Sequence, residues 1–233
     1  MAYAQQSMTE TTLKVVELGC KLGNGITEFI RRGSMYYGPL VRSIDPAECL
    51  GIDIQERFRA DLESRRLRFR CLDLTADGAL EELPEADYYL AWDFLEHLPN
   101  MEWVSAVIQV MLRKARKGVW IRMPSFEQDK DTGEGVLRAM GLRFSWSVWH
   151  GHKCHVLVSD VVQVINEYKS GVGRSSIAMK LLAGRCVRST DDPCVVPIDS
   201  PVDTVKYDEK LGPKPIRDLN PDVVAQWEVV VTM

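Results

Sequence analysis

Apolar positions recur with two different periods along the first half of the chain. "LKVVELG" (residues 13–19) is a short β-branched run ending in glycine, and "NGITEFIRRG" carries its apolar residues at helical spacing up to Gly33. "CLGIDI" is the next apolar run, and "QERFRADLESRR" behind it is helical in composition and spacing. "LRFRCLDL" alternates with period two, and "ADYYLAWDFL" is a continuous apolar run after Pro84. "MEWVSAVIQVMLRKARK" places Trp103, Val107, Val110 and Met111 on one helical face, and "GVWIRMP" is a strand stopped by Pro124. Residues 34–48 hold two prolines and a glycine and predict a loop.

After residue 125 the rhythm changes. "GEGVLRAMG" predicts a short helix, and "SDVVQVINEYKSG" a longer one opened by Ser159 or Asp160 and closed by Gly171. "IAMKLLAGRCV" and "AQWEVVVTM" predict two further strands, forming an antiparallel hairpin at one sheet edge. The pattern therefore predicts an α/β fold: a Rossmann-like, doubly wound, mostly parallel seven-stranded sheet with helices on both faces. Residues 1–12 are polar and predict a frayed terminus, and residues 13–233 a single domain. Residues 189–222 contain six of the eleven prolines and many aspartates, which predicts a long irregular loop or lid.

Composition narrows the class only slightly. With 45% hydrophobic and 27% charged residues the chain is ordinary for a globular protein. A net charge of −4 leaves no electrostatic footprint for nucleic acid. The basic runs "RRLRFR" and "RKARK" are expected to be solvated helix ends. Six cysteines without a CxxC pair, and no signal segment, predict free thiols in a cytoplasmic protein. No apolar run is long enough to span a bilayer.

Ligands of parallel sheets bind beyond the carboxyl ends of the strands, at the switch point of strand order. The side chains predicted there form a set. Glu17 ends the first strand, just before the turn Gly19-Cys20-Lys21-Leu22-Gly23; Asp53 ends the second, Asp73 the third and Asp93 the fourth. Carboxylates at adjacent strand tips suit the hydroxyls of a ribose and the amino group of an adenine. A nicotinamide fold requires G-x-G-x-x-G, and Gly19, Gly23 and Gly25 have the wrong spacing.

On these residues the chain resembles the class I S-adenosylmethionine-dependent methyltransferases. "VVELGCKLGN" resembles their glycine-rich first motif, "LGIDI" the segment whose acid holds the ribose, and "RCLDLTAD" the segment whose acid meets the adenine. "ADYYLAWDFLEHLPN" looks like their fourth strand, with the "EHLP" signature of a small-molecule and lipid-type subgroup. "HVLVSDVVQVINEYKSG" is similar to that subgroup's His-containing strand and following helix, so the likeness runs from residue 13 to about 172. The resemblance implies S-adenosylmethionine as cofactor, surrounded by Glu17, Gly19, Cys20, Gly23, Asp53, Ile54, Asp73, Leu74, Trp92 and Asp93. It implies a small-molecule, lipid or sugar-like methyl acceptor over the fourth and fifth strands, near Glu96, His97 and residues 146–155. No "NPPY"-type tetrapeptide for base methylation follows the fourth strand.

One residue departs from that pattern. Lys21 stands where the family usually has glycine, and its side chain has three courses open: obstructing the cofactor, pairing with the cofactor's carboxylate, or reaching solvent. A non-catalytic methyltransferase-like binding module is the alternative this residue raises. Where the acceptor must lose a proton, a base is needed, and the chain has four histidines: His97, His150, His152 and His155. His97 and His155 are the expected catalytic residues. The cluster "WHGHKCH" lacks zinc-ligand spacing, so no metal is expected.

Overall fold

The computed structural model describes residues 12–172 and 176–233. Five strands run parallel: β1 Val15–Leu18, β2 Cys49–Asp53, β3 Arg68–Cys71, β4 Ala86–Trp92 and β5 Ala115–Pro124. Four follow: β6 Leu142–Phe144, β7 Ala178–Ser189, β8 Val195–Pro197 and β9 Asp218–Thr232. The helices are α1 Asn24–Arg32, α2 Ser34–Tyr37, α3 Arg59–Ser64, α4 Met101–Lys114, α5 Glu134–Arg138 and α6 Val158–Gly171. The large sheet has seven strands in the order β3-β2-β1-β4-β5-β9-β7, with β9 antiparallel to both neighbours. Strand order reverses at β1, which pairs with β2 on one side and β4 on the other. That opens a crevice at the carboxyl ends.

The two faces of the sheet follow from side-chain alternation. Val15, Tyr88, Leu90, Trp92 and Trp120 pack against Ile26 and Phe29 of α1 and Leu62 of α3. Val16, Leu18, Tyr89, Ala91, Val119 and Ile121 pack against Val104, Val107, Ile108 and Met111 of α4 and Val161, Val164 and Ile165 of α6. All seven residues of β4 are buried, which explains why that run shows no alternation in the sequence. A separate apolar cluster joins Leu137, Leu142, Phe144, Val187, Val195, Leu219 and Val223. It forms a small lobe where the β7–β9 hairpin runs past the end of the parallel strands.

Four expectations change. Residues 34–48 are not open loop but hold α2 and two short 3-10 turns, Pro39–Ser43 and Pro46–Glu48. Helix α6 begins before Ser159: Asp160 reaches back to accept the Leu157 N–H at 2.9 Å, and distant Glu127 accepts the Val158 N–H at 3.0 Å. The orphan donors of that helix end are thus satisfied from within the helix and from across the fold. Residues 151–157 form no strand. The backbone N–H groups of Lys153 and Cys154 both donate to the Glu96 carbonyl, at 2.8 and 3.1 Å, and strap this segment over the end of β4. Within 189–222, β8 pairs antiparallel with β6, and β9 starts at Asp218, ahead of the expected terminal strand. The expectation for residues 1–12 falls almost wholly outside the described residues.

Candidate functional site at the switch point

A cavity of about 660 Å³ lies at the crevice, bounded by Gly19, Lys21, Asp53, Ile54, Asp73, Leu74, Asp93 and His97, with Phe94, Trp149 and Lys153 at its rim. Asp53, ending β2, holds the glycine-containing turn in place. Its Oδ2 accepts the Lys21 N–H at 3.0 Å and its Oδ1 the Gln55 N–H at 2.9 Å. Asp73, two residues past β3, accepts the Thr75 hydroxyl at 2.7 Å and the Thr75 N–H at 2.9 Å. Those bonds, the hydroxyl's first, hold its carboxyl below the usual carboxylate range. Both carboxylates retain lone pairs toward the cavity, since each oxygen can accept two hydrogen bonds.

Asp93 sits at the end of β4 with φ of 49°. Its carboxylate pairs with the Arg122 guanidinium and accepts the Gln226 amide at 3.2 Å, while Arg122 lies 4.2 Å over the Trp92 ring. Arg122 and Gln226 were not foreseen. The signal was present for Arg122: a single arginine inside the apolar run "VWIRMP" needs a buried partner.

Five of the expected site residues do not border this cavity. Glu17 shares the Val15 face of β1 and turns toward α1, where its two carboxylate oxygens accept the Gly25 and Ile26 N–H groups at 3.0 Å each. It caps the helix instead of facing a ligand, and period two along β1 contains that information. Burial raises its carboxyl to about 8, against the lowering effect of those two N–H groups. Cys20 is buried against Gly51, and burial drives its thiol far up. Gly23, with φ of 67°, is the turn that starts α1. Trp92 lies inside, edge-on to Trp120 at 5.1 Å. His155 is exposed and stacked flat on Phe126, with centroids 4.6 Å apart.

His152 takes the inward position instead. With His97 it flanks Glu96, each Nε2 standing 3.9 Å from Glu96 Oε1. Glu96 is 1% exposed, and burial, with Asp93 adding to it, lifts its carboxyl to about 8. Burial lowers His97 and takes His152 down to about 4. The Lys21 ammonium is close enough to act on all three groups. Trp149 meets the two imidazoles edge-on, at 5.7 Å from His97 and 4.8 Å from His152.

Trp149 also borders a second cavity of about 500 Å³ beneath the small lobe, with Trp146, His152, Arg185, Asp192, Cys194 and Lys206. Its walls are mainly apolar, with the Arg185–Asp192 ion pair, at 2.6 Å, and Lys206 as the charged groups. Trp149 borders both cavities, with His97 on the wall of the larger and His152 on the wall of the smaller.

No protein-family model matches the chain, and no curated protein does. Solved structures do. A SAM-dependent methyltransferase from Archaeoglobus fulgidus is similar with a TM-score of 0.57 and 15% identity over 96% of this chain and 87% of that one. Magnesium protoporphyrin IX methyltransferase (ChlM) from Synechocystis PCC 6803, with bound SAH, is similar with a TM-score of 0.50 and 15% identity over 95% of this chain and 74% of that one. The likeness is one of fold: the chain has the Rossmann-like fold of class I methyltransferases. Among the described residues no helix is long and apolar enough to cross a membrane.

Proposed function

We propose that the chain is an S-adenosylmethionine-dependent methyltransferase for a small-molecule, lipid or sugar-like acceptor. The observation that carries this reading is the pair of carboxylates, Asp53 and Asp73, on the larger cavity at the switch point of the sheet. The cavity volume lies within the ~300–1,000 Å³ of cofactor sites. Asp53 would bind the ribose hydroxyls, Asp73 the adenine amino group, and Ile54 and Leu74 the faces of the base. When bound, this cofactor supplies an electrophilic methyl group. Lys21, Asp93 and His97 surround the end of the cavity next to the second cavity, where its amino-acid portion would lie.

The acceptor belongs in the second cavity, with residues 189–222 as its cap on a single domain spanning residues 13–233. Trp149 borders both cavities, so the acceptor would approach the cofactor past it, and alignment alone can supply ~7–11 kcal/mol of a displacement barrier. His97 is the histidine that borders the cofactor cavity; His155 borders neither cavity, so we drop it from the chemistry.

A second reading has a specific observation in its favour. The Phe94 ring leans on Gly19 so closely that a Cβ there would collide with it, and Lys21 stands beside that contact. A binding module without turnover would tolerate such narrowing. Calorimetric titration with S-adenosylmethionine and S-adenosylhomocysteine, with Asp53→Ala as the control, tests the cofactor site, and conversion of bound S-adenosylmethionine to S-adenosylhomocysteine in the presence of acceptors separates the enzyme from the binding module. Micromolar binding lost in the control supports a working site; no binding by folded protein overturns both the cofactor and the enzyme.

A further inference from the structure

Glu96, His97 and His152 present an imbalance that neither cavity explains. His97 Nδ1 lies 2.9 Å from the Gly151 carbonyl, and His152 Nδ1 lies 3.0 Å from the Trp146 carbonyl. Carbonyl oxygens only accept, so each Nδ1 carries the hydrogen and each neutral ring keeps a lone pair on Nε2. Both lone pairs lie on the side of Glu96 Oε1, at 3.9 Å, too far for a direct hydrogen bond. Glu96 Oε2 is buried with no hydrogen-bond partner. Two imidazole lone pairs and the Glu96 carboxyl group therefore converge with no hydrogen bond joining them. Left empty, that arrangement costs free energy, because buried acceptors are normally paired.

We propose that Glu96, His97 and His152 bind one divalent first-row transition metal ion, of the zinc, cobalt or iron(II) type. Two imidazoles and a carboxylate are the ligand set such ions prefer, while magnesium and calcium favour oxygen alone. The ligand atoms all lie within 4.8 Å of one another. A tetrahedral ion with ligands at ~2.1 Å holds them ~3.4 Å apart, so the two 3.9 Å carboxylate–imidazole separations must close by about half an ångström and the widest separation in the set, within 4.8 Å, by up to about 1.4 Å. The supporting shell is already in place: each imidazole is oriented by a backbone carbonyl through its other nitrogen, the arrangement that fixes metal-binding tautomers. Glu96 is held by its own carbonyl, which anchors the 153–154 strap.

Sequence spacing concealed this site. The ligands come from "EH" after β4 and from a histidine 55 residues further along, and the neighbouring His150, Cys154 and His155 take no part. The Lys21 ammonium is an adverse charge nearby, on a stem long enough to swing toward water. An ion held there would lie between the two cavities, since His97 lines one and His152 the other. On the methyltransferase reading, and resting on it, an open position of the ion takes an oxygen of the acceptor. The metal site itself stands without that reading.

The test is a titration of chelator-treated full-length protein with Co²⁺ and then Zn²⁺, in the absence of cofactor. The expected result is one Co²⁺ per chain, with visible d–d absorption of nitrogen and oxygen ligation, no thiolate charge-transfer band, and displacement by Zn²⁺. His97→Gln and His152→Gln should each weaken binding at least about tenfold, while His150→Gln and His155→Gln leave it unchanged. Circular dichroism and melting of every variant establish folding, and Glu96→Gln serves where a histidine variant fails to fold. Absence of binding by folded wild type, or equal binding by the His97 and His152 variants, would overturn the site. A thiolate band would do the same by assigning the ion to cysteine. Because no cofactor is present, failure here is distinct from failure of the methyltransferase reading.

Discussion

The two halves of the candidate site are built in different ways. On the β1–β2–β3 side, each group sits at the end of its own strand, and Asp53 and Asp73 are held by N–H or O–H groups two residues away, with Lys21 the one distant partner. On the β4–β5 side, every group depends on a residue far along the chain: Asp93 on Arg122 and Gln226, His97 on Gly151, Glu96 on the 153–154 strap. The first half is thus fixed by local turns on a rigid sheet. The second exists only once the lobe and the strap have packed. Nucleoside binding and acceptor chemistry should therefore respond differently to the same perturbation.

The largest test of that difference is Phe144→Ala. Phe144 is fully buried in the lobe and stacks on Trp146 at 4.4 Å, so truncation should cost about 3–5 kcal/mol of stability. If the halves are as distinct as their bonding implies, cofactor affinity by calorimetry changes less than about threefold in protein that remains folded, while Co²⁺ binding weakens because Trp146 O orients His152. Equal loss of both would show one cooperative site. Asp53→Ala is the reverse experiment: cofactor affinity should fall about 100-fold, the scale of one or two charge-assisted hydrogen bonds, with Co²⁺ binding retained.

A third comparison uses pH. Glu17 is raised to about 8 in the folded chain from an ordinary value of 4.5, so the folded state holds a proton that the unfolded state has released. Its contribution is full below about pH 4.5 and is lost as pH rises through about 8. Urea denaturation should show stability falling from about pH 5 to about pH 8, by about 3–4 kcal/mol from this group. Glu17→Gln should be less stable at low pH, where an acceptor for α1 is lost, and should have a flatter slope. An unchanged slope in the variant would remove Glu17 as the source.

What was legible in the sequence follows the same division. The parallel strands, their order of appearance and the acids at their tips are set by short apolar runs and turn residues within ten positions of one another, and local pattern reaches that far. Glu17 was misplaced by reading position along the strand without reading its face. His155 was expected from the likeness of "HVLVSDVVQVINEYKSG" to a His-containing strand, but residues 151–157 form no strand, and it is His152 that borders a cavity. In fact the Glu96 carbonyl draws two successive N–H groups to itself, which no strand would do. Pairing of β6 with β8 joins residues some fifty positions apart, and Asp93 with Gln226 more than a hundred, so neither leaves a local trace.

Lys21 gives the smallest effect and the sharpest one, because it lies where the halves meet. Its φ of 44° is in the left-handed region, which costs an L-residue about 1–2 kcal/mol and costs glycine nothing in strain. Against that stands the larger chain entropy glycine loses on folding, about 0.5–1 kcal/mol. Lys21→Gly should therefore stabilise the fold by at most about 1.5 kcal/mol, visible as a small rise in melting temperature. Its effect on the cofactor separates the roles of the side chain. If the ammonium pairs with the cofactor's carboxylate, as we expect from its position on the cavity wall, both Lys21→Gly and Lys21→Met weaken S-adenosylmethionine binding several-fold, since both remove the charge. If the stem obstructs the turn, glycine tightens binding and methionine does not. The first outcome makes Lys21 a working substitute for the usual glycine; the second makes it the reason the cavity is narrow.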